Sequence, residues 1–228
     1  MDPEPPKLRP HSIRDAIKIV RKAPGIWLTV GLMITASWFL PKLFLWVLTG
    51  LSPGTHYTPL AEFEISERVR PVLAATTWSC MAGAFRMAHA HVRGIRPGAG
   101  DFIGGFFGGF LLLLPAIFYE AVLPDGVLWH EVVVLLLVPL WPIGSAMLAA
   151  MGARTPLLKC LPEAVRLLTG RYGQWLKLEA GLALLTLAGG LLFGLGLPIA
   201  AAIRVLAISL AVRDLFPAEP ESSSSPTP

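Results

Sequence analysis

Charge is scarce in this chain. Asp, Glu, Lys and Arg make up 15% of its 228 residues, against roughly 25% in a typical soluble domain. Long stretches hold almost none. Val132 to Ala153 and Ala180 to Ile203 are free of charge, and Ile26 to Leu51 contains only Lys42. Roughly 20 apolar residues cross a bilayer core, so these runs suit membrane helices better than the core of a soluble domain. Cysteine is almost missing too. Cys80 sits in an apolar run and Cys160 in a basic loop, and two such residues imply no disulfide framework. H-E-x-x-H, G-x-S-x-G and paired-cysteine motifs do not occur, which leaves hydrolase and metalloenzyme readings without support and no cofactor to expect. A cleavable signal peptide is not expected. The first apolar run begins only at Ile26, after a Pro-rich charged segment, and is long enough to remain as a first helix.

The apolar runs and their punctuation predict an all-α, polytopic membrane bundle of about six spans. They fall near 26–49, 71–92, 102–123, 127–152, 175–194 and 197–216, with short loops except at 50–70. A tight G-L-G-L-P turn at 194–198 joins the last two. Residues 1–11 and the low-complexity tail 217–228 read as disordered cytoplasmic ends of a single 12–216 membrane domain. Lys7, Arg9, Arg14, Lys18, Arg21 and Lys22 precede the first span. Arg86, Arg93 and Arg96 flank the second-to-third connection. Arg154, Lys159, Arg166, Arg171 and Lys177 flank the fourth-to-fifth, and Arg213 ends the sixth. With six spans these all fall on one side. Lys and Arg accumulate in cytoplasmic loops, so both termini are expected in the cytoplasm. The net charge of +4 is spent on topology and gives no nucleic-acid signal.

A short charged segment occurs twice. D-A-I-K-I-V-R-K-A-P-G-I-W runs from Asp15 to Trp27, and E-A-V-R-L-L-T-G-R-Y-G-Q-W from Glu163 to Trp175. Ile13, Ala16, Ile17 and Val20 form one apolar helical stripe, and Leu161, Ala164, Val165 and Leu168 repeat it. Ser12 reads as an N-cap with Asp15 three residues on. Each copy is expected to lie in the headgroup layer, Lys18 and Arg166 near anionic lipid, before the chain turns inward at Gly and Trp. Trp27 and Trp175 are the expected interfacial anchors. A weaker third copy begins near Asp101, giving internal parallel repeats that start near 12, 97 and 157.

The G-x-W turn into the membrane, the L-P-x-x-x-A-x-R-V-L-A stretch and the ending A-V-R-D-L-F (Ala211 to Phe216) resemble a family of bacterial membrane proteins. Its members are uncharacterised six-helix proteins related to the membrane domain of some glycerophosphodiester phosphodiesterases. The resemblance covers about Ser12 to Phe216. It implies a bacterial inner-membrane location and carries over no catalytic residue.

Three groups of residues remain as candidates for chemistry. The run F-I-G-G-F-F-G-G-F (Phe102 to Phe110) lacks the Lys-Ser/Thr of a phosphate loop. Gly104 with Gly108, and Gly105 with Gly109, have the small-xxx-small spacing of packed membrane helices, repeated by Gly190 and Gly194. His89 and His91 are two residues apart and point to nearly opposite sides of a helix, which argues against a shared metal. Lys42, Glu120, Glu131 and Arg204 all fall in the outer half of the membrane, Arg204 about 10 Å below the outer turn at a 1.5 Å rise per residue. Ionisable groups there are paired, snorkelling or functional. They would either line a polar cavity open to the outside or divide into snorkelling side chains and a structural ion pair at Arg204. Pro115, Pro139 and Pro142 interrupt spans, as proline does in many membrane helices.

The expected role is non-enzymatic: a structural or accessory inner-membrane protein whose partners are the bilayer, its anionic headgroups and another membrane protein. A small transporter or channel built on the buried charges is the rival. Both copies of the charged segment start on the same side, so the repeat is parallel rather than inverted, which weakens that analogy.

Overall fold

Continuous apolar sequence broken by Gly and Pro folds into helices, and the described residues contain no strand. The computed structural model describes residues 8–9, 11–50, 59–122, 142–192 and 194–216, without the side chains of 40–50, 59–74 and 112–122. Eight helices follow in order: α1 (Ser12–Lys22), α2 (Pro24–Gly50), α3 (Pro59–Val92), α4 (Ala99–Val122), α5 (Pro142–Gly152), α6 (Leu157–Leu168), α7 (Tyr172–Leu191) and α8 (Leu197–Val212). A single 3-10 turn, Arg213–Leu215, closes the described chain.

Helix α8 is the hub. It is apolar all round apart from Arg204 and Ser209, and eleven of its residues are buried, as a helix without a polar face requires. It packs on α1, α2, α3 and α7. The most extensive pair is α3 with α4. Gly105 and Gly109 make it possible. A Cβ on Gly105 would stand 2.7 Å from the Ala82 carbonyl oxygen, and one on Gly109 2.8 Å from the Ala82 Cβ. Gly83 answers from α3, where a Cβ would meet the Phe102 carbonyl at 2.6 Å. The expected glycine packing is thus present on one side of α4. Gly104 and Gly108 face other neighbours, the Arg86 guanidinium and the side chains of Met151 and Leu157.

Several boundaries differ from expectation. Helix α3 begins at Pro59, twelve residues before the span expected from 71. Its first turns carry Glu62, Glu64, Glu67, Arg68 and Arg70, good helix formers that a hydropathy reading sets aside as loop. Ser12 is not the N-cap of α1. His11 is, in a left-handed conformation with φ 64° and no side-chain cap bond, and the Asp15 carboxylate accepts from Lys18. The third copy has no surface helix, since α4 starts directly at Ala99 after a short connection. The turn between α7 and α8 forms as expected, Gly194 taking φ +78°. Its close contact is between Gly189 and Gly196, where an added Cβ would meet backbone at 2.9 and 2.6 Å, and not between Gly190 and Gly194.

Part of the described surface is apolar. Leu32, Met33, Trp38 and Phe39 on α2, Ile103, Phe107 and Leu111 on α4, and Leu184, Leu187 and Leu191 on α7 are all exposed. Among the described residues no single helix is both long and apolar enough to cross a membrane. The pair Ser12–Lys22 and Pro24–Phe39 meets that test together, across a bend of 112°.

Candidate functional site

Charged groups converge at one end of the helices. Arg154 Nη2 lies 3.2 Å from Asp101 Oδ1, joining the end of α5 to the start of α4. Arg93, just past α3, donates to the Phe216 carbonyl at 3.0 Å. Arg9 pairs with Asp214 at 3.7 Å, its backbone N–H reaches the Ala211 carbonyl, and the Leu8 N–H donates to Gln174 Oε1. Segments far apart in sequence, near 8–9, 93, 101, 154, 174 and 211–216, therefore meet at one face.

The duplicated segments use equivalent positions alike. Lys18 pairs with Asp15 at 2.9 Å and Arg166 with Glu163 at 3.2 Å, both three residues apart and both basic groups exposed. The hydrogen bond from Lys18 holds the Asp15 carboxyl below its ordinary value. Ala16 and Ala164 are fully buried. The apolar stripe of α1 is spent on protein, since Ala16 and Val20 belong to the core and α1 packs along α8. In α6 the covered sector is Cys160, Ala164, Leu167 and Leu168, while Leu158, Leu161 and Val165 stay exposed beside it. Burial pushes the Cys160 thiol up to about 11.

Trp27 and Trp175 are not surface anchors. Both are 0% exposed. The Trp175 indole donates to Ser145 Oγ at 2.9 Å, and Ser145 in turn donates to the Pro142 carbonyl. Trp27 packs edge-on against the His91 ring at 5.4 Å between centroids. The indoles fill the space where α1 and α6 turn into α2 and α7, which a sequence reading of Gly-x-Trp assigns equally well to the headgroup layer.

Arg204 has a partner the sequence reading missed. Its guanidinium bonds Glu179 on α7, with side-chain exposures of 13% and 7%. Glu179 stands one residue before the charge-free run that begins at Ala180, and the charge pattern along the sequence gives it no role. Counting back from the Gly189–Gly196 contact gives the missing signal. Position 204 lies eight residues after Gly196 and 181 lies eight before Gly189, which leaves Glu179 within reach of an arginine. The ion pair is the structural alternative for Arg204. Lys42 and Glu120 lie on α2 and α4, but their side chains are outside the described residues, and Glu131 is outside them altogether. His89 and His91 diverge as their spacing predicts, His89 to the Phe216 ring and His91 to Trp27. Among the described residues no three His, Cys, Asp or Glu side chains converge as metal ligands.

A groove of about 560 Å³ opens between α2 and α4. Gly25, Ile26 and Val30 form one wall, Phe102 and Ile103 the other, and Met87 of α3 the floor. Comparison with family models, curated proteins and solved structures gives no match for the chain.

Proposed function

We propose that this is a non-enzymatic integral membrane protein of structural or accessory role, placed in a bacterial inner membrane with both ends in the cytoplasm. The observation that carries the reading is the inverted surface. Large apolar side chains face outward on α2, α4 and α7, while arginine-linked contacts gather at one end. Contiguous exposed apolar surface of this kind marks an interaction with membrane or protein. The resemblance to the six-helix bacterial family points the same way. The pairing of Arg204 with Glu179 supports a scaffold over a transporter, because that arginine's charge is met inside the bundle. Arg14, Lys18, Arg21 and Lys22 on α1 and Lys159 and Arg166 on α6 are exposed and suited to anionic headgroups or an acidic cytoplasmic partner.

The reading is tested by expression and fractionation. The protein should stay with membranes after alkaline carbonate extraction; release into the soluble fraction would refute it. Single cysteines at positions 56 and 96 in a background without Cys80 and Cys160 should label from outside and inside respectively with an impermeant maleimide. Reversed labelling would overturn the orientation.

A further inference from the structure

Helix α3 carries Arg86, His89 and Arg93 at the i, i+3, i+7 spacing of a single stripe, about 10 Å long at 1.5 Å per residue. Arg86 reaches α4 where a glycine leaves room for it. A Cβ on Gly104 would stand 3.0 Å from Arg86 Nη1. Gly104 comes three residues after Asp101, so the two are neighbours on one side of α4. Asp101 is held there by Arg154 from the end of α5. The guanidinium groups of Arg86 and Arg154 therefore meet the same side of α4, at points about one turn apart. Acid is short in this region. Asp101 is engaged by Arg154 through Oδ1 and by the Gly98 N–H through Oδ2. Asp214, two residues before the carbonyl that Arg93 binds, pairs with Arg9 and Arg213. Arg86 is partly buried and has neither an ion pair nor a hydrogen bond among the described residues, and its Nε is enclosed. Nη1 and Nη2 are not enclosed and are open to a ligand. One turn along the stripe His89 is 5% exposed, and neither ring nitrogen has a partner among the described residues.

We propose that Arg86 anchors a binding site for one phosphate group at the junction of α3 and α4. A cation taken partly out of water needs an opposing charge or good acceptors, and the described protein gives this one neither. The guanidinium holds its N–H donors in a plane, in pairs that match two oxygens of a phosphate. A phosphate also has acceptors to spare for a second donor, which a carboxylate held by a fork lacks, and His89 stands on the same stripe with its nitrogens unmet. Gly104 keeps the approach to the guanidinium free of a side chain. The phosphate belongs either to a lipid headgroup or to a small soluble compound, since the same fork reads both. Only the lipid source rests on the membrane reading above.

The test uses the full-length protein in a mild uncharged detergent, read by unfolding temperature and by native mass spectrometry. Two probes separate the sources: inorganic phosphate, and phosphatidylglycerol set against phosphatidylcholine. An unfolding temperature raised by inorganic phosphate but not by sodium chloride of equal ionic strength assigns the soluble source. Preferential retention of phosphatidylglycerol without that response assigns the headgroup, and a response to both assigns the phosphate group itself. Arg86→Gln should weaken whichever binding is seen by about tenfold or more, the scale of one charge-assisted hydrogen bond. It should leave the ligand-free unfolding temperature at or above that of the wild type, because the variant loses no partner; an arginine of purely structural role would lower it. Arg86→Lys keeps the charge without the fork and should bind less than the wild type. Lys18→Gln removes an exposed base from α1 and should bind as the wild type does. No response to either probe, an equal response to acetate, wild-type binding by Arg86→Gln, or an equal loss in Lys18→Gln would overturn the proposal. If Arg86→Gln does not fold, Arg86→Lys decides, and wild-type binding by it would overturn the proposal. Release of the protein from membranes by carbonate would refute the membrane reading and leave the inorganic-phosphate arm to judge the site.

Discussion

Arg204 and Glu179 illustrate how one pair controls an interior. A buried ion pair contributes little net stability over apolar residues of equal volume, but removing one partner leaves the other charge uncompensated. Arg204→Leu alone or Glu179→Leu alone should therefore destabilise the protein by about 3–5 kcal/mol. The double variant should recover most of that loss. Thermal unfolding in detergent measures both, and a double variant as unstable as either single one would show that the pair does more than neutralise itself. The two tryptophans make a second contrast. Trp175→Phe deletes the bond to Ser145 and should cost about 1 kcal/mol. Among the described residues Trp27 Nε1 has no hydrogen-bond partner, so Trp27→Phe should cost less. Cys160 supplies a pH signature. Its thiol is raised from 9.0 to about 11 by burial, so the folded state holds a proton that the unfolded chain releases first. That contribution to stability is complete below pH 9.0 and is lost as pH rises through about 11. In a Cys80→Ala background, alkylation of Cys160 at pH 9 should be slow when folded and fast in denaturant. Equal rates would mean the thiol is accessible.

The long helices could be read from hydropathy, but their contacts could not. Charge-free runs located α2, the core of α4 and α8 to within a few residues, because length and apolarity are local properties. The start of α3 could not be read that way, since Glu62 to Arg70 are helical without being apolar. Glycine spacing identified the packed faces of α4 as Gly104/Gly108 and Gly105/Gly109 without choosing between them. The choice depends on Gly83, which no local pattern ties to α4. A prediction follows for that interface. Gly105→Ala puts a methyl 2.7 Å from the Ala82 carbonyl, where backbone on both sides leaves little room to give, and should cost about 1–3 kcal/mol. Gly108→Ala meets only Met151 and Leu157 side-chain ends at 3.5 Å or more and should be close to neutral. Comparable losses at both positions, read from unfolding temperatures, would mean that α4 is seated differently. The candidate groove was invisible in the sequence for the same reason: Gly25, Met87 and Phe102 come from three helices and carry no shared motif.

Among the described residues the first and last α-helices, α1 and α8, pack on each other. The apolar face of α1 is covered by α8, and α2 also rests on α8, with Gly31 so close to Pro198 that a side chain would overlap its carbonyl. This has a consequence for biosynthesis. Helix α1 leaves the ribosome long before α8 is made, by about ten seconds or more at 5–20 residues per second. During that interval Ala16 and Val20 lack their final cover, and α1 must wait with its apolar face uncovered or be held by another partner. Trypsin sites at Arg14, Lys18, Arg21 and Lys22 should therefore be cleaved readily in chains stopped at residue 196 and resist cleavage once 197–216 are added. Equal protection in both would mean that α1 docks without α8. The order of synthesis thus opposes the order of packing, and α1 reaches its final place only once α8 has been made.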